Sequence, residues 1–235
     1  MSGFFYVQKV TNNTKIMYKK RFKVLVACEE SQAITKEFRK MGHEAYSCDL
    51  LPCSGGYPEW HYQEDVFNVI KHQEWDIMIA HPPCTYLAVS GARWMYNKDG
   101  SVNEERLQNQ NDALDFVKRL MDAPIKSIAI ENPISVISSQ IRKPDQIVHP
   151  YHFGDKASKS TCLWLKNLPK LEHTNVVAKG EFKEWVDKKS GKVKKQAKWY
   201  YDALLNAKSS AERRTLRSKT FKGMAEAIAD QWGIK

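Results

Sequence analysis

The chain has 235 residues, 42 % of them hydrophobic, with a formal charge of +10 and a pI near 9.3. That length suffices for one α/β domain with a substantial core and a small insert, and the apolar share argues against global disorder. No apolar stretch approaches the roughly 18 residues of a membrane span. The start, Met1-Ser2-Gly3-Phe4-Phe5, lacks the pattern of a secretory signal. Five scattered cysteines (Cys28, Cys48, Cys53, Cys84, Cys162) suggest reduced thiols rather than a disulfide framework. The expected location is therefore the cytoplasm. Cys48 and Cys53 have no His or Cys partners at ligand spacing, so no metal site is expected.

Residues 1–20 are polar and read as a flexible N-terminal arm. The first strand is Phe22-Lys23-Val24-Leu25-Val26-Ala27. A helix starts near Ser31, runs through Ile34, Phe38 and Met41, and stops at Gly42. Glu44 to Cys48 reads as a short strand ending at Asp49. Residues 51–63 read as a loop, because Pro52, Gly55, Gly56 and Pro58 punctuate it. Asp65 precedes another helical stretch. Strands follow at 75–80 and 126–130, with a helix from about Glu104 to Met121 between them. Ser160 to Leu165 reads as one more strand. Lys183 to Val193 reads as a hairpin turning at Ser190-Gly191, and Gly223 to Trp232 as a closing helix.

Strands alternating with helices predict an α/β fold of Rossmann-like type, a mostly parallel sheet with helices on both faces. The catalytic domain is expected over 21–172 and 216–235, with a small basic insert at 173–215. Ligands of such sheets bind at the carboxyl ends of the strands. Here those ends carry Cys28-Glu29-Glu30, Asp49, His81-Pro82-Pro83-Cys84 and Glu131-Asn132-Pro133, so polar groups converge on one edge.

Two of these ends carry complementary chemistry. Pro82-Pro83 hold the Cys84 thiol rigidly at the lip of the sheet, and Glu131 follows 47 residues later. A thiolate can add to C6 of a pyrimidine and make C5 carbanion-like. A carboxylic acid at the base edge can hold the ring and stabilise charge around N3. The pair points to a pyrimidine-modifying enzyme. From Lys183 to Lys219, twelve Lys/Arg face four Asp/Glu, a net +8. Such a concentration is an electrostatic footprint for a polyanion. Lys188, Lys189, Lys194 and Lys195 interleave there with Trp185, Trp199, Tyr200 and Tyr201, which suits phosphates and bases.

Pro82-Pro83-Cys84 with Glu131-Asn132-Pro133 resembles the paired catalytic motifs of DNA cytosine-5 methyltransferases, and the whole chain is similar to their short bacteriophage forms. The stretch Arg217 to Ala229 resembles that family's last motif. The resemblance covers about residues 22–165 and 215–233. It implies Cys84 as nucleophile, Glu131 as base-edge acid, DNA as partner and S-adenosylmethionine as cofactor. Asp49 matches the acid that binds the cofactor's ribose, and Asp65 the position that contacts its adenine. Glu29 and Glu30 would face its ammonium group, Pro82 would border it, and Asn132 would order the substrate side of the loop. The chain departs from the family in three ways. Its first loop, Ala27-Cys28-Glu29-Glu30-Ser31, has no glycine. No arginine matches the family's supporting strand motif, where only Lys156 and Lys159 stand nearby. The basic insert replaces a large recognition domain. Two alternatives remain open: a methyltransferase-like fold that binds DNA or a nucleotide without turnover, and an amino-methyltransferase, since His81-Pro82-Pro83-Cys84 also resembles that motif.

Overall fold

Residues 20–234 are described by a computed structural model; the arm expected over 1–20 lies, Lys20 apart, outside the described residues. The chain runs β1 (Lys23–Ala27), α1 (Ala33–Lys40), β2 (Glu44–Asp49), β3 (His61–Gln63), α2 (Val66–His72) and β4 (Ile77–Ala80). It continues through α3 (Glu104–Met121), β5 (Ser127–Pro133), α4 (Ile137–Gln140), β6 (Gln146–Val148) and β7 (Thr161–Lys166). It closes with β8 (Phe182–Val186), β9 (Val193–Ala197), α5 (Lys198–Asn206), α6 (Ser210–Ser218) and α7 (Lys222–Trp232).

Among the described residues, seven strands form one sheet in the order β3-β2-β1-β4-β5-β7-β6. The ladders from β3 to β5 are parallel, and β7 runs antiparallel to both β5 and β6. The fold is thus the expected α/β class. The chain begins mid-sheet at β1, winds out to β3, and returns to β4 on the other side of β1. That reversal places a topological switch point between the carboxyl ends of β1 and β4, where open α/β sheets bind ligands.

Alternation along the strands sorts the core into two layers. Leu25, Met78, Ile128, Ile130 and Trp164 pack on one face with Val69, Val117 and Leu120 of α2 and α3. Val24, Val26, Ile77, Ile79 and Leu163 pack on the other with Phe38 of α1 and Ile228 and Trp232 of α7. Strands buried on both faces explain why the sequence shows continuous apolar runs there. Among the described residues, no helix is long and apolar enough to cross a membrane.

Three local expectations change. The 51–63 segment is not all loop: its last residues form β3, paired in parallel with β2 through Ser47↔His61 and Asp49↔Gln63. At three residues, β3 is too short to show periodicity. β6 is likewise unmarked in the sequence; it is a three-residue edge strand held by β7. Finally, β5 continues through Glu131 and Asn132 to Pro133, because β7 pairs along its whole length, from Ile128↔Lys166 to Pro133↔Thr161. Glu131 therefore projects from a strand rather than a loop.

Candidate active site

The parallel register Ala80↔Ile130 sets the end of β4 beside the last residues of β5, so His81–Cys84 leave the sheet next to Glu131–Pro133. Two side-chain bonds join them. His81 Nδ1 lies 2.9 Å from Glu131 Oε2, and Asn132 Nδ2 donates to the Pro82 carbonyl at 2.8 Å. Further along, Val89 N–H donates to the Ile134 carbonyl and Val136 N–H to that of Leu87. Buried Leu87 anchors this double loop in the core. The Cys84 carbonyl accepts from the N–H groups of Leu87 and Ala88, which closes a turn directly after the thiol.

Burial pushes the Glu131 carboxyl up, but the His81 bond and the positive charges of Lys159 and His81 outweigh it. The group ends below the ordinary carboxylate range. Glu131 is therefore a carboxylate at neutral pH. A carboxylate only accepts, so the proton of the 2.9 Å bond sits on His81 Nδ1. Three buried polar atoms in this cluster have no protein partner: Glu131 Oε1, His81 Nε2 and Asn132 Oδ1. Unpaired buried polar atoms are costly, so three in one cluster call for an explanation.

Cys84 is exposed as a residue. Its sulfur nevertheless lies close enough to the protein for desolvation to raise the thiol pKa. The Glu131 charge adds to that rise and Lys159 opposes it. Lys159 thus acts on both groups from the segment leading into β7. In the sequence it stands only as a lysine near the place of a missing arginine. Its role becomes visible through the antiparallel β5–β7 pairing, which returns that segment to the Glu131 end of β5.

A second group of acids gathers at the β1 and β2 ends. Burial raises the Cys28 thiol pKa, and the charges of Asp49 and Asp65 near the tip of β1 raise it further. Asp49 accepts from Leu51 N–H at 2.9 Å, and Asp65 caps α2 by accepting from Phe67 N–H at 2.7 Å. Glu29 is turned inward and only 3 % exposed. Its carboxylate accepts from Ile34 N–H, Thr35 N–H and the Thr35 hydroxyl, holding the start of α1. Burial raises its pKa, against the charge of His81 and these three bonds. Glu30 is half-buried, and its carbonyl accepts from Ser54 N–H at 2.8 Å.

The first loop makes its turn without glycine. Cys28 and Gln32 take positive φ, 59° and 57°, a conformation that costs most non-glycine residues energy. The facing loop holds Gln32 there. Buried Gln32 donates to the Tyr57 carbonyl at 2.8 Å and accepts from Tyr57 N–H at 3.1 Å. The glycine this packing requires stands across the gap. A Cβ at Gly55 would lie 2.5 Å from both the Ser31 carbonyl and Gln32 Cβ.

The four insert lysines belong to the separate hairpin of β8 and β9, with Lys194 and Lys195 on β9. Lys194 bonds Asp187 at 2.6 Å, and Lys195 bonds Glu184 at 3.0 Å. Lys188 and Lys189 are exposed in the turn between the strands. Part of the aromatic set is committed to packing: Trp199 donates to the Ser158 carbonyl and meets Phe221 edge-on, while Arg217 stacks on Tyr200.

No family model matches the chain, and no curated protein matches it in sequence. Among solved structures, it is similar to a protein described as a candidate DNA modification methyltransferase encoded within a prophage of E. coli. The identity is 12 %, the TM-score 0.39, and the match covers 61 % of this chain. It covers 46 % of the other, so the chain spans less than half the length of that structure.

Proposed function

We propose that the protein is an S-adenosylmethionine-dependent DNA methyltransferase acting at C5 of cytosine, with Cys84 as nucleophile and Glu131 at the base edge. The observation that carries this reading is the cross-linking of the β4 and β5 ends by His81–Glu131 and Asn132–Pro82. It ties the segment that carries Cys84 to the Glu131 end of β5, and the charges of Glu131 and Lys159 both bear on the thiol.

The Cys84 sulfur adds to C6 as a thiolate, and the C5=C6 pair shifts onto C5. Lys159 opposes the charge that Glu131 places on that sulfur and so favours the thiolate. Glu131 Oε1, free of protein partners, is the acceptor available to the cytosine amino group, and it can share with N3 a proton taken up from solvent as negative charge develops on the ring. His81 Nδ1–H keeps the carboxylate oriented while it does so. S-adenosylmethionine, when bound, supplies an electrophilic methyl group to C5. Loss of the C5 proton to solvent then restores the double bond and expels the thiolate.

The cofactor fits the acids at the β1 and β2 ends. Asp49 keeps one carboxylate oxygen clear of its bond to Leu51, which suits a ribose hydroxyl, and Asp65 flanks the same tip. Glu30 is better suited than Glu29 to an ammonium group, because Glu29 is spent on α1. The insert, with Lys188 and Lys189 at its tip and Lys194 and Lys195 on β9, is the proposed DNA-binding module.

DNA containing 5-fluorocytosine tests the assignment, because fluorine cannot leave C5 as a proton does. With the cofactor present, the protein should form a covalent adduct through Cys84. Normal trapping by Cys84→Ser protein would refute the role of Cys84. The commitment of Glu29 to α1 favours one other reading, a fold of this type that binds DNA without turnover. Calorimetry showing no cofactor binding, with DNA present, would support that reading instead.

A further inference from the structure

The segment between Cys84 and α3 builds an open groove of about 540 Å³ that none of the roles above uses. Tyr86, Trp94 and Tyr96 supply its aromatic surface, and Lys98 and Arg106 its positive charge, against one acid, Glu105. We propose that this groove binds an unpaired nucleotide next to the target base, so that the protein takes single-stranded nucleic acid in preference to a duplex. The proposal deepens the function proposed above and rests on its nucleic-acid substrate.

The aromatic rings are held out rather than packed. Trp94 is 57 % exposed and Tyr96 61 %, an unusual outlay of apolar surface. Arg93 lies over the Trp94 ring at 4.5 Å, so the indole already carries one planar cation. The insert differs, since its Trp199 is used to dock against Ser158 and Phe221.

The platform is preformed. Tyr96 bridges Val102 in antiparallel fashion, Asn97 N–H donates to the Ser101 carbonyl, and Gly100 turns the chain with φ of 88°. Asn103 N–H donates to the Met95 carbonyl, tying the far end to the start of α3. The near end is pinned by Gln110, which donates to the Tyr86 carbonyl at 3.0 Å. Rings on a rigid turn lose little entropy when a base stacks on them.

The charges complete the match. Arg106 lies 5.3 Å from the Tyr86 ring centre and donates to the Thr85 carbonyl, yet its buried Nε has no partner. An unpartnered guanidinium N–H beside aromatic rings suits a phosphate or a base oxygen. Bases in a duplex have their faces covered by their neighbours, whereas an unpaired base offers a free face to Trp94 or Tyr96. Tyr86 stands two residues from Cys84, so a strand with its target at the thiol would run onto this platform.

Binding of the full chain to oligothymidylate of about twelve nucleotides tests the groove without cofactor or chemistry. Fluorescence anisotropy at one salt concentration would compare it with a duplex of equal length. The single strand should bind about tenfold tighter, and Trp94→Ala and Tyr96→Ala should each cost it roughly tenfold. Circular dichroism should match the parent, since both rings are exposed. Equal affinity for the two forms, or unchanged affinity in both variants, would overturn the proposal. Oligothymidylate contains no cytosine, so failure of the Cys84 assignment would leave this result standing, and failure here would leave trapping at Cys84 untouched.

Discussion

His81 and Glu131 meet across two neighbouring strand ends, Nδ1 to Oε2 at 2.9 Å, with both side chains almost buried. Sequence separates them by 50 residues. The contact helps keep Glu131 a carboxylate and leaves its second, buried oxygen without a protein partner. In the proposed mechanism His81 is then a positioning residue for Glu131.

The pair has a stability signature. Removing one partner of a buried, hydrogen-bonded pair leaves an uncompensated group, so His81→Ala should cost about 3 kcal/mol at pH 7 in urea unfolding. The Glu131 carboxyl is depressed in the folded state, so its contribution is fully present above the unfolded value of about 4.3. It is lost as pH falls through the lower folded value. The stability gap between the parent protein and Glu131→Gln should therefore narrow below about pH 4. A gap that stays constant down to acid pH would contradict the depressed carboxyl.

The Cys84 thiol should respond to its two charged neighbours with opposite signs. Desolvation and the Glu131 charge hold its pKa above the ordinary thiol value, while Lys159 pulls it down. At about pH 8, near the ordinary thiol range, alkylation of Cys84 by iodoacetamide should be severalfold faster in Glu131→Gln and severalfold slower in Lys159→Met. Mass spectrometry assigns the modified thiol, and buried Cys48 and Cys162 should stay unmodified in native protein. Slower alkylation of Glu131→Gln would show that the carboxylate is not the neighbour that raises the thiol.

The insert lysines should divide into two classes. Neutralising Lys188 and Lys189, at the exposed turn, should weaken duplex binding and reduce the slope of log K against log salt by about one for each phosphate left without its lysine. Neutralising Lys194 and Lys195, which already bond Asp187 and Glu184, should change the slope less. Binding unchanged in all four positions across several salt concentrations would remove the insert from the nucleic-acid surface.

Much of the arrangement is legible along the chain. The continuous apolar runs of β1, β4 and β5 mark strands buried on both faces, and α3 shows its period from Glu104 to Met121. Strand-end logic then brings Cys84 and Glu131 to one edge, because a parallel sheet must align its carboxyl ends. Short elements are harder to read. β3 and β6, three residues each, carry too few side chains for a period and exist because a longer neighbour templates them.

What the sequence determined by itself was local: the alternation of strands and helices, the rigid Pro-Pro-Cys end, and the sign and position of the basic stretch. These follow from periodicity, backbone restriction and charge counting, which need no knowledge of distant residues. Tertiary structure alone decided which groups meet. It gave Glu131 its partner in His81 and brought Lys159 back toward the thiol through the antiparallel β7. It also set Gly55 against a first loop that has no glycine, and it bonded half of the insert's key lysines to acids. Most of these are contacts between residues far apart in the chain, and their energy depends on distances that only the packed structure sets.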